Sequence, residues 1–137
     1  MPSTNDRELD PAVIELARKP NFAALTTLLP NGYFQTQPMW VDADDEHLLI
    51  NTEVHRQKFR NVERDPRITV MIRNESNPYH YAEVRGEVVE KVRGPKARAH
   101  IDELSLKYLG RPYDNPVQSE RVILRIAPLQ QSVTRRR

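Results

Sequence analysis

The chain of 137 residues contains no cysteine, so it can form neither disulfide bonds nor thiolate metal sites. It also has no apolar run near the roughly 20 residues that a helix needs to cross a bilayer. The N-terminal segment "MPSTNDRELDP" is polar and lacks the apolar core of a signal peptide. These absences predict a soluble, cytoplasmic protein that does not associate with membranes.

Neither the net charge nor the histidine spacing indicates binding of nucleic acid or of a metal ion. The 21 basic and 19 acidic side chains leave a formal charge of only +2, which gives no overall attraction to nucleic acid. The four histidines show no spacing typical of a metal pair, so we predict no metal site. The length fits a single domain over residues 1–137, with flexible ends at 1–9 and 134–137. The catalytic residues remain unknown at this stage.

Positive charge is instead concentrated in "NTEVHRQKFRNVERDPR", residues 51–67. Phe59 and Val62 lie three residues apart, as on the apolar side of a helix, and arginines recur on another side at a spacing of four. Two interpretations are open. The segment is either a solvated helix surface or the seat of a phosphate, because a helix that follows a strand offers unpaired amides and the positive end of its dipole.

The remaining elements are predicted to be strands joined by tight turns, with one helix before the first strand and another before the last. Asp10 and Pro11 open a first helix that Pro20 ends. The Asn-Gly pair of "PNGY" indicates a hairpin, and "DADDE" a second turn. The helix at 94–110 is predicted to bury Ile101, Leu104 and Leu106. Six strands are predicted, namely "FAALTTLL", "YFQTQPMWV", "HLLINT", "RITVMIR", "YHYAEVRGEVVEKV" and "RVILRIAPLQQSV", and together they favour a mainly β, antiparallel barrel.

The order of these pieces, and above all the series Thr52, Arg56, Lys58, Asn61, Arg64, Asp65, Pro66 and Arg67, resembles the split β-barrel family typified by pyridoxamine 5'-phosphate oxidase. Within it the similarity is to the flavin/deazaflavin oxidoreductase branch. The resemblance extends from about residue 22 to residue 89 and continues weakly to the last strand. It implies a six-stranded, homodimeric split barrel that binds a flavin-type cofactor between its subunits.

The resemblance also implies roles for individual residues. The phosphate of the cofactor would lie at Thr52, Arg56 and Lys58, with Arg60 continuing the positive charge, and Asn61 is a structural residue of the helix. Tyr79 and Tyr81 would either reach the cofactor of the partner subunit or pack at the dimer interface, where aromatic residues are common. From the sequence itself, Tyr79 or His80 are the candidates to supply a proton. The ring would lie on the second strand, over Gln37, Pro38, Met39 and Trp40.

The function implied by the resemblance is hydride transfer between coenzyme F-420, a deazaflavin, and a small organic substrate. Its anionic tail would benefit from the arginine row, whereas FMN would need only the first contacts. Two alternatives stay open: an FMN-dependent oxidase or reductase of the same fold, and a non-catalytic protein that binds a flavin, deazaflavin or tetrapyrrole. Nucleic-acid binding is disfavoured, because Phe59 is the only aromatic residue beside the charge and it is assigned to the core.

Overall fold

A computed structural model describes residues 8–136 of the chain. It contains a single antiparallel sheet and three short helices, which confirms the mainly β class expected from the sequence. In chain order the elements are α1 (Pro11–Arg18), β1 (Ala23–Leu28), β2 (Phe34–Met39), β3 (Asp42–Ala43), β4 (Leu48–Glu53), α2 (Gln57–Arg64), β5 (Arg67–Asn74), β6 (Asn77–Arg93), α3 (Pro95–Leu109) and β7 (Arg121–Arg135).

The sheet has the strand order β2-β1-β5-β6-β7-β4-β3, so it curls into a barrel that stays split between β2 and β3. Every pairing is antiparallel. The prediction of six strands was one too low. The missed strand, β3, is only two residues long and pairs with Leu48 and Leu49, because Asp44 closes a tight hairpin by accepting hydrogen bonds from the amides of Glu46 and His47.

Alternation of side chains along the strands builds the core. In β1 the buried residues alternate with half-buried ones, as expected for a sheet with one buried face. β5 and β6 contribute further apolar side chains to the same interior. Phe59 and Val62 of α2 join them, 2% and 1% exposed, so the apolar side predicted for this helix is confirmed.

Helix α3 departs from the prediction at one position. Ile101 and Leu104 are buried as expected, but Leu106 is 53% exposed, so its predicted burial was wrong. The buried side chains of α3 follow helical spacing from Ala97 through His100 and Leu104 to Ser105, and Leu106 lies on the opposite side of that stripe.

The two ends of the described chain are attached to the barrel. Leu9 is buried in the core, and β7 continues to Arg135, where Thr134 and Arg135 pair with Tyr81 and His80. The flexibility expected at 1–9 and 134–137 stays a prediction. Residues 1–7 and 137 lie outside the described part. None of the helices between residues 8 and 136 is both long and apolar enough to cross a bilayer.

Gly86 lies where β6 approaches the backbone of β7 too closely to admit a side chain. A Cβ atom at this position would lie 2.2 Å from the carbonyl oxygen of Ala127, and the register of the two strands shifts between Arg85 and Gly86. Because the atom in the way belongs to the backbone, β7 itself would have to move to admit any side chain.

We therefore predict that Gly86→Ala lowers the free energy of unfolding by about 2 kcal/mol, measured by urea denaturation. The control is Val89→Ala, an exposed position on the same strand, which should change it by less than about 0.5 kcal/mol. Equal stability of Gly86→Ala and the wild type would show that the strands separate without cost.

Candidate functional site

The split in the sheet forms a groove between edge strand β2 and the paired strands β4 and β7. A cavity of about 270 Å³ opens into it. Helix α2, the next element after β4, packs against β1. The cavity is lined by residues of six segments of the chain: Phe22, Pro38, Met39, Trp40, Asn51, Ile101, Tyr113 and Arg121.

The first turn of α2 has backbone amides without acceptors. Arg56 is the N-cap but its side chain makes no capping hydrogen bond, and the amides of Gln57 and Lys58 have no acceptor within residues 8–136. The first amides of a helix lack partners within the helix and lie at the positive end of its dipole. The start of α2 can therefore donate hydrogen bonds to an anion.

Lys58 adds a buried positive charge at this helix start. Its side chain is 8% exposed, and its ammonium has no hydrogen bond or ion pair with any described residue. Burial lowers the pKa of Lys58, and the nearby positive charges of Arg56 and Arg121 lower it further. A cation on a mostly buried side chain, with other cations as its charged neighbours, is unfavourable unless an anion binds.

The arginines predicted to extend the positive charge make local contacts. Arg60 is exposed and donates hydrogen bonds to the carbonyl oxygen of His55 at 2.8 Å and to Oε1 of Gln57 at 2.7 Å. Arg64 donates to the carbonyl oxygen of Leu28. Both side chains are thus held against the protein, so Arg56 is the residue of the row whose guanidinium has no such contact among the described residues.

Asn61 fixes α2 to the barrel. It is fully buried, and its side-chain amide lies 3.0 Å from the hydroxyl of Thr27 and 2.8 Å from the side chain of Gln57. The contact with Thr27 joins the helix to β1 and supports the structural role predicted for Asn61, whereas the contact with Gln57 lies within α2.

The residues predicted to carry the ring lie on and after the edge strand β2. Pro38, Met39 and Trp40 line the cavity, whereas Gln37 does not. Pro38 is tolerated because an edge strand needs no amide donor on its free side. The ring of Trp40 stacks on that of Tyr108, with centroids 5.2 Å apart and planes inclined by 5°. Trp40 is therefore a fixed, half-buried wall of the cavity.

Four other residues with predicted roles lie away from the cavity of their own chain. Thr52 is buried on β4, paired with Val122. Tyr79 is 61% exposed at the start of β6, and Tyr81 follows it on the same strand. His80 is buried, and its Nδ1 lies 3.1 Å from Nδ2 of Asn74. None of the four lines the cavity, so any role of the tyrosines would require the partner subunit.

Arg121 was not among the predicted site residues, but the sheet places it at the cavity. Its side chain is 9% exposed, and Nη2 donates to the hydroxyl of Tyr113 at 2.6 Å while Nη1 donates to Oδ1 of Asn51 at 3.3 Å. Glu53 faces it across the β4–β7 pair, with Oε2 3.6 Å from Nη2. A lone arginine opening an apolar strand was the available signal.

Asn51 connects Arg121 to a second charged group. Its Nδ2 donates to the carbonyl oxygen of Ala97 at 2.9 Å and lies 3.1 Å from Nδ1 of His100, whose Nε2 is 3.4 Å from Asp42. Burial raises the pKa of Asp42, but hydrogen bonds from His100 and the Ala43 amide outweigh it, so the pKa is lowered. Asn51 is therefore held between Arg121 on one side and the His100–Asp42 pair on the other.

The comparisons with known proteins agree with this architecture. The family model described as pyridoxamine 5'-phosphate oxidase matches residues 9–134. A solved structure named F420 reductase is 30% identical, with a TM-score of 0.78, over 90% of this chain and 98% of that one. No curated protein matches the chain.

Two more distant structures show likeness of fold alone. The conserved hypothetical protein Rv2991 from Mycobacterium tuberculosis is 22% identical, with a TM-score of 0.70, over 98% of this chain and 89% of that one. General Stress Protein 26 from Bacillus anthracis is 20% identical, with a TM-score of 0.68, over 90% and 91%.

The buried charge of Lys58 should cost stability when no anion is bound. Because its pKa in the folded chain lies below its ordinary value of 10.5, this cost is present below the folded pKa and disappears as the pH rises past the unfolded one. We predict that Lys58→Met raises the free energy of unfolding at pH 7 by about 1 kcal/mol in urea denaturation of the ligand-free protein.

The matched control is Lys96→Met, at an exposed position of α3, which should leave stability unchanged. The gain from Lys58→Met should also shrink as the pH is raised toward 10.5. A loss of stability in Lys58→Met would mean that the ammonium already has a stabilising partner.

Proposed function

The chain belongs to the pyridoxamine 5'-phosphate oxidase family, and from this we propose that it is an oxidoreductase that uses coenzyme F-420 to transfer a hydride to or from a small organic substrate. The observation that carries the proposal is the ammonium of Lys58, which ends a mostly buried side chain, has no anionic partner among residues 8–136 and lies next to the free amides of α2. A phosphate group satisfies both.

The residues at the start of α2 fit a phosphate-bearing cofactor. Lys58 would supply a charged hydrogen bond from a mostly buried position, and Arg56 a planar pair of donors from the surface. The amides of Gln57 and Lys58 would complete the contacts. When bound, the cofactor supplies the hydride chemistry, and the chain supplies position, charge and exclusion of water.

Coenzyme F-420 is preferred to FMN for two reasons. The solved structure that is 30% identical carries the name F420 reductase, and the exposed guanidinium of Arg56, which makes no local contact among the described residues, can extend positive charge toward an acidic tail. FMN is the second candidate, because the contacts of Arg60 and Arg64 with backbone carbonyls leave a compact seat that suits a single phosphate.

The outer face of the sheet supports the homodimer that the proposal requires. Phe34 is 71% exposed and Leu129 is 48% exposed. Both line a second cavity of about 270 Å³, together with Leu28 and Gly86. Apolar side chains clustered on one sheet face are typical of an interface between subunits. A partner on this face would bring a second set of Tyr79 and Tyr81 side chains to the assembly.

We predict that the purified protein binds F-420 more tightly than FMN in parallel titrations followed by calorimetry. Lys58→Ala should weaken binding of F-420 by about tenfold or more, because it removes a charged hydrogen bond from a mostly buried site. Arg136→Ala, at the exposed end of the chain, is the control and should have no effect. Equal small effects of both substitutions would refute the phosphate seat.

The dimer makes a separate prediction. Phe34→Glu should convert the protein from dimer to monomer in sedimentation equilibrium, because it places charge in the apolar interface. Tyr33→Glu, at a neighbouring residue that is 73% exposed in the hairpin turn, serves as the control and should remain dimeric. A wild-type monomer at micromolar concentration would contradict the proposed assembly.

A further inference from the structure

The cavity in the groove has flat, mostly apolar walls. Trp40 is held by its stack on Tyr108, and Phe22 contacts the same tyrosine, with ring centroids 5.4 Å apart. Met39 and Ile101 complete this side of the lining. Stacked and immobilised rings present a planar surface at low entropic cost, so the cavity suits a planar molecule.

Arg121 places a positive charge on the opposite side of this cavity. Its guanidinium lies over the ring of Tyr113 at 4.8 Å, and its Nε has no acceptor in the described part of the chain. The planar guanidinium is the side-chain group that best matches a carboxylate, with parallel donors and a permanent charge.

Glu53, the carboxylate that faces Arg121, is heavily shared. Its Oε1 accepts hydrogen bonds from the amides of Gln118 and Ser119, both at 2.8 Å, and from the Ser119 hydroxyl at 3.2 Å. Burial raises the pKa of Glu53, but these amides and the charge of Arg121 outweigh it and lower the pKa. Because Glu53 also accepts hydrogen bonds from this loop, it neutralises the charge of Arg121 only in part, and Arg121 can still attract a second anion.

The size of the cavity limits what it can hold. At about 270 Å³ it lies below the roughly 300–1,000 Å³ of sites for drug-sized ligands. A site of this size has room for one small planar molecule. The cavity is also lined by Pro38, Met39 and Trp40, three of the residues expected to carry the cofactor ring, so a molecule bound here would lie beside that ring.

We propose that this cavity is the substrate subsite of the oxidoreductase and that it binds a small, planar, unsaturated carboxylate, with the carboxylate on Arg121 and the unsaturated part against Trp40. This inference rests on the proposed function in one respect: the bound molecule is a substrate only if the protein is an oxidoreductase. The binding site itself is defined by the cavity, the aromatic wall and the guanidinium, and it can be tested without cofactor.

Trp40 provides the measurement, because it is the only tryptophan in the chain. The ligand-free wild-type protein is titrated with trans-cinnamate and, separately, with the uncharged cinnamamide, and quenching of tryptophan fluorescence is followed. We expect cinnamate to bind at least about tenfold more tightly, as one charged hydrogen-bonded contact predicts. Equal affinity for the acid and the amide, or no quenching by either, would overturn the proposal.

Three variants locate the carboxylate. Arg121→Gln, checked for folding by circular dichroism, should abolish the preference for cinnamate over cinnamamide. Arg125→Gln is the matched control, because Arg125 lies on the same strand with its guanidinium paired to Glu90 at 3.2 Å, and it should keep the preference. Lys58→Ala should keep it too. Loss of the preference in Lys58→Ala but not in Arg121→Gln would place the anion at the helix start and refute the subsite.

The outcome separates this inference from the proposed function. If Arg121→Gln fails to fold, the comparison of cinnamate with cinnamamide in the wild type still decides whether the protein prefers a carboxylate. A protein that binds F-420 but shows no preference for cinnamate refutes the subsite alone. A protein that prefers cinnamate through Arg121 but binds neither F-420 nor FMN has a carboxylate site, and the proposed oxidoreductase function fails.

Discussion

The uncompensated charge of Lys58 is the constraint on which the rest of the site depends. An ammonium that is mostly buried, with Arg56 and Arg121 as its charged neighbours, raises the free energy of the ligand-free fold. The fold tolerates this because Phe59 and Val62 anchor the same helix in the core. An anion at the helix start relieves the repulsion, so affinity for a phosphate and instability without it have one physical cause.

The split barrel turns this local charge into a site. Because β2 is an edge of the sheet, the groove beside it is lined by residues that are distant in sequence, from Phe22 to Arg121. Asn61 joins that helix to β1, and Trp40 is fixed by Tyr108. The donor groups and the aromatic wall are therefore held in place before any ligand arrives, which lowers the entropic cost of binding.

Features that depend on residues close together in the sequence could be predicted, and features that depend on residues far apart in the sequence could not. The helix of Lys58 and the alternating strands are local patterns, so the sequence revealed them. Strand β3 is too short for any period, and it depends on a hairpin closed by Asp44. Arg121 reaches the cavity only because the β4–β7 register sets it opposite Glu53, some seventy residues earlier, and no spacing rule records such a pairing. Leu106 shows the opposite error, in which an apolar residue near a buried stripe was assigned to it.

The most direct test of the central claim is the number of protons taken up when F-420 binds, measured by calorimetry in buffers of different ionisation enthalpy between about pH 8 and 10. A phosphate beside Lys58 raises its depressed pKa, and the phosphate itself does not titrate in this range. The wild-type protein should take up a number of protons that rises with pH when it binds F-420, and Lys58→Met should take up none. Binding without proton uptake, or the same uptake in both proteins, would contradict the central claim.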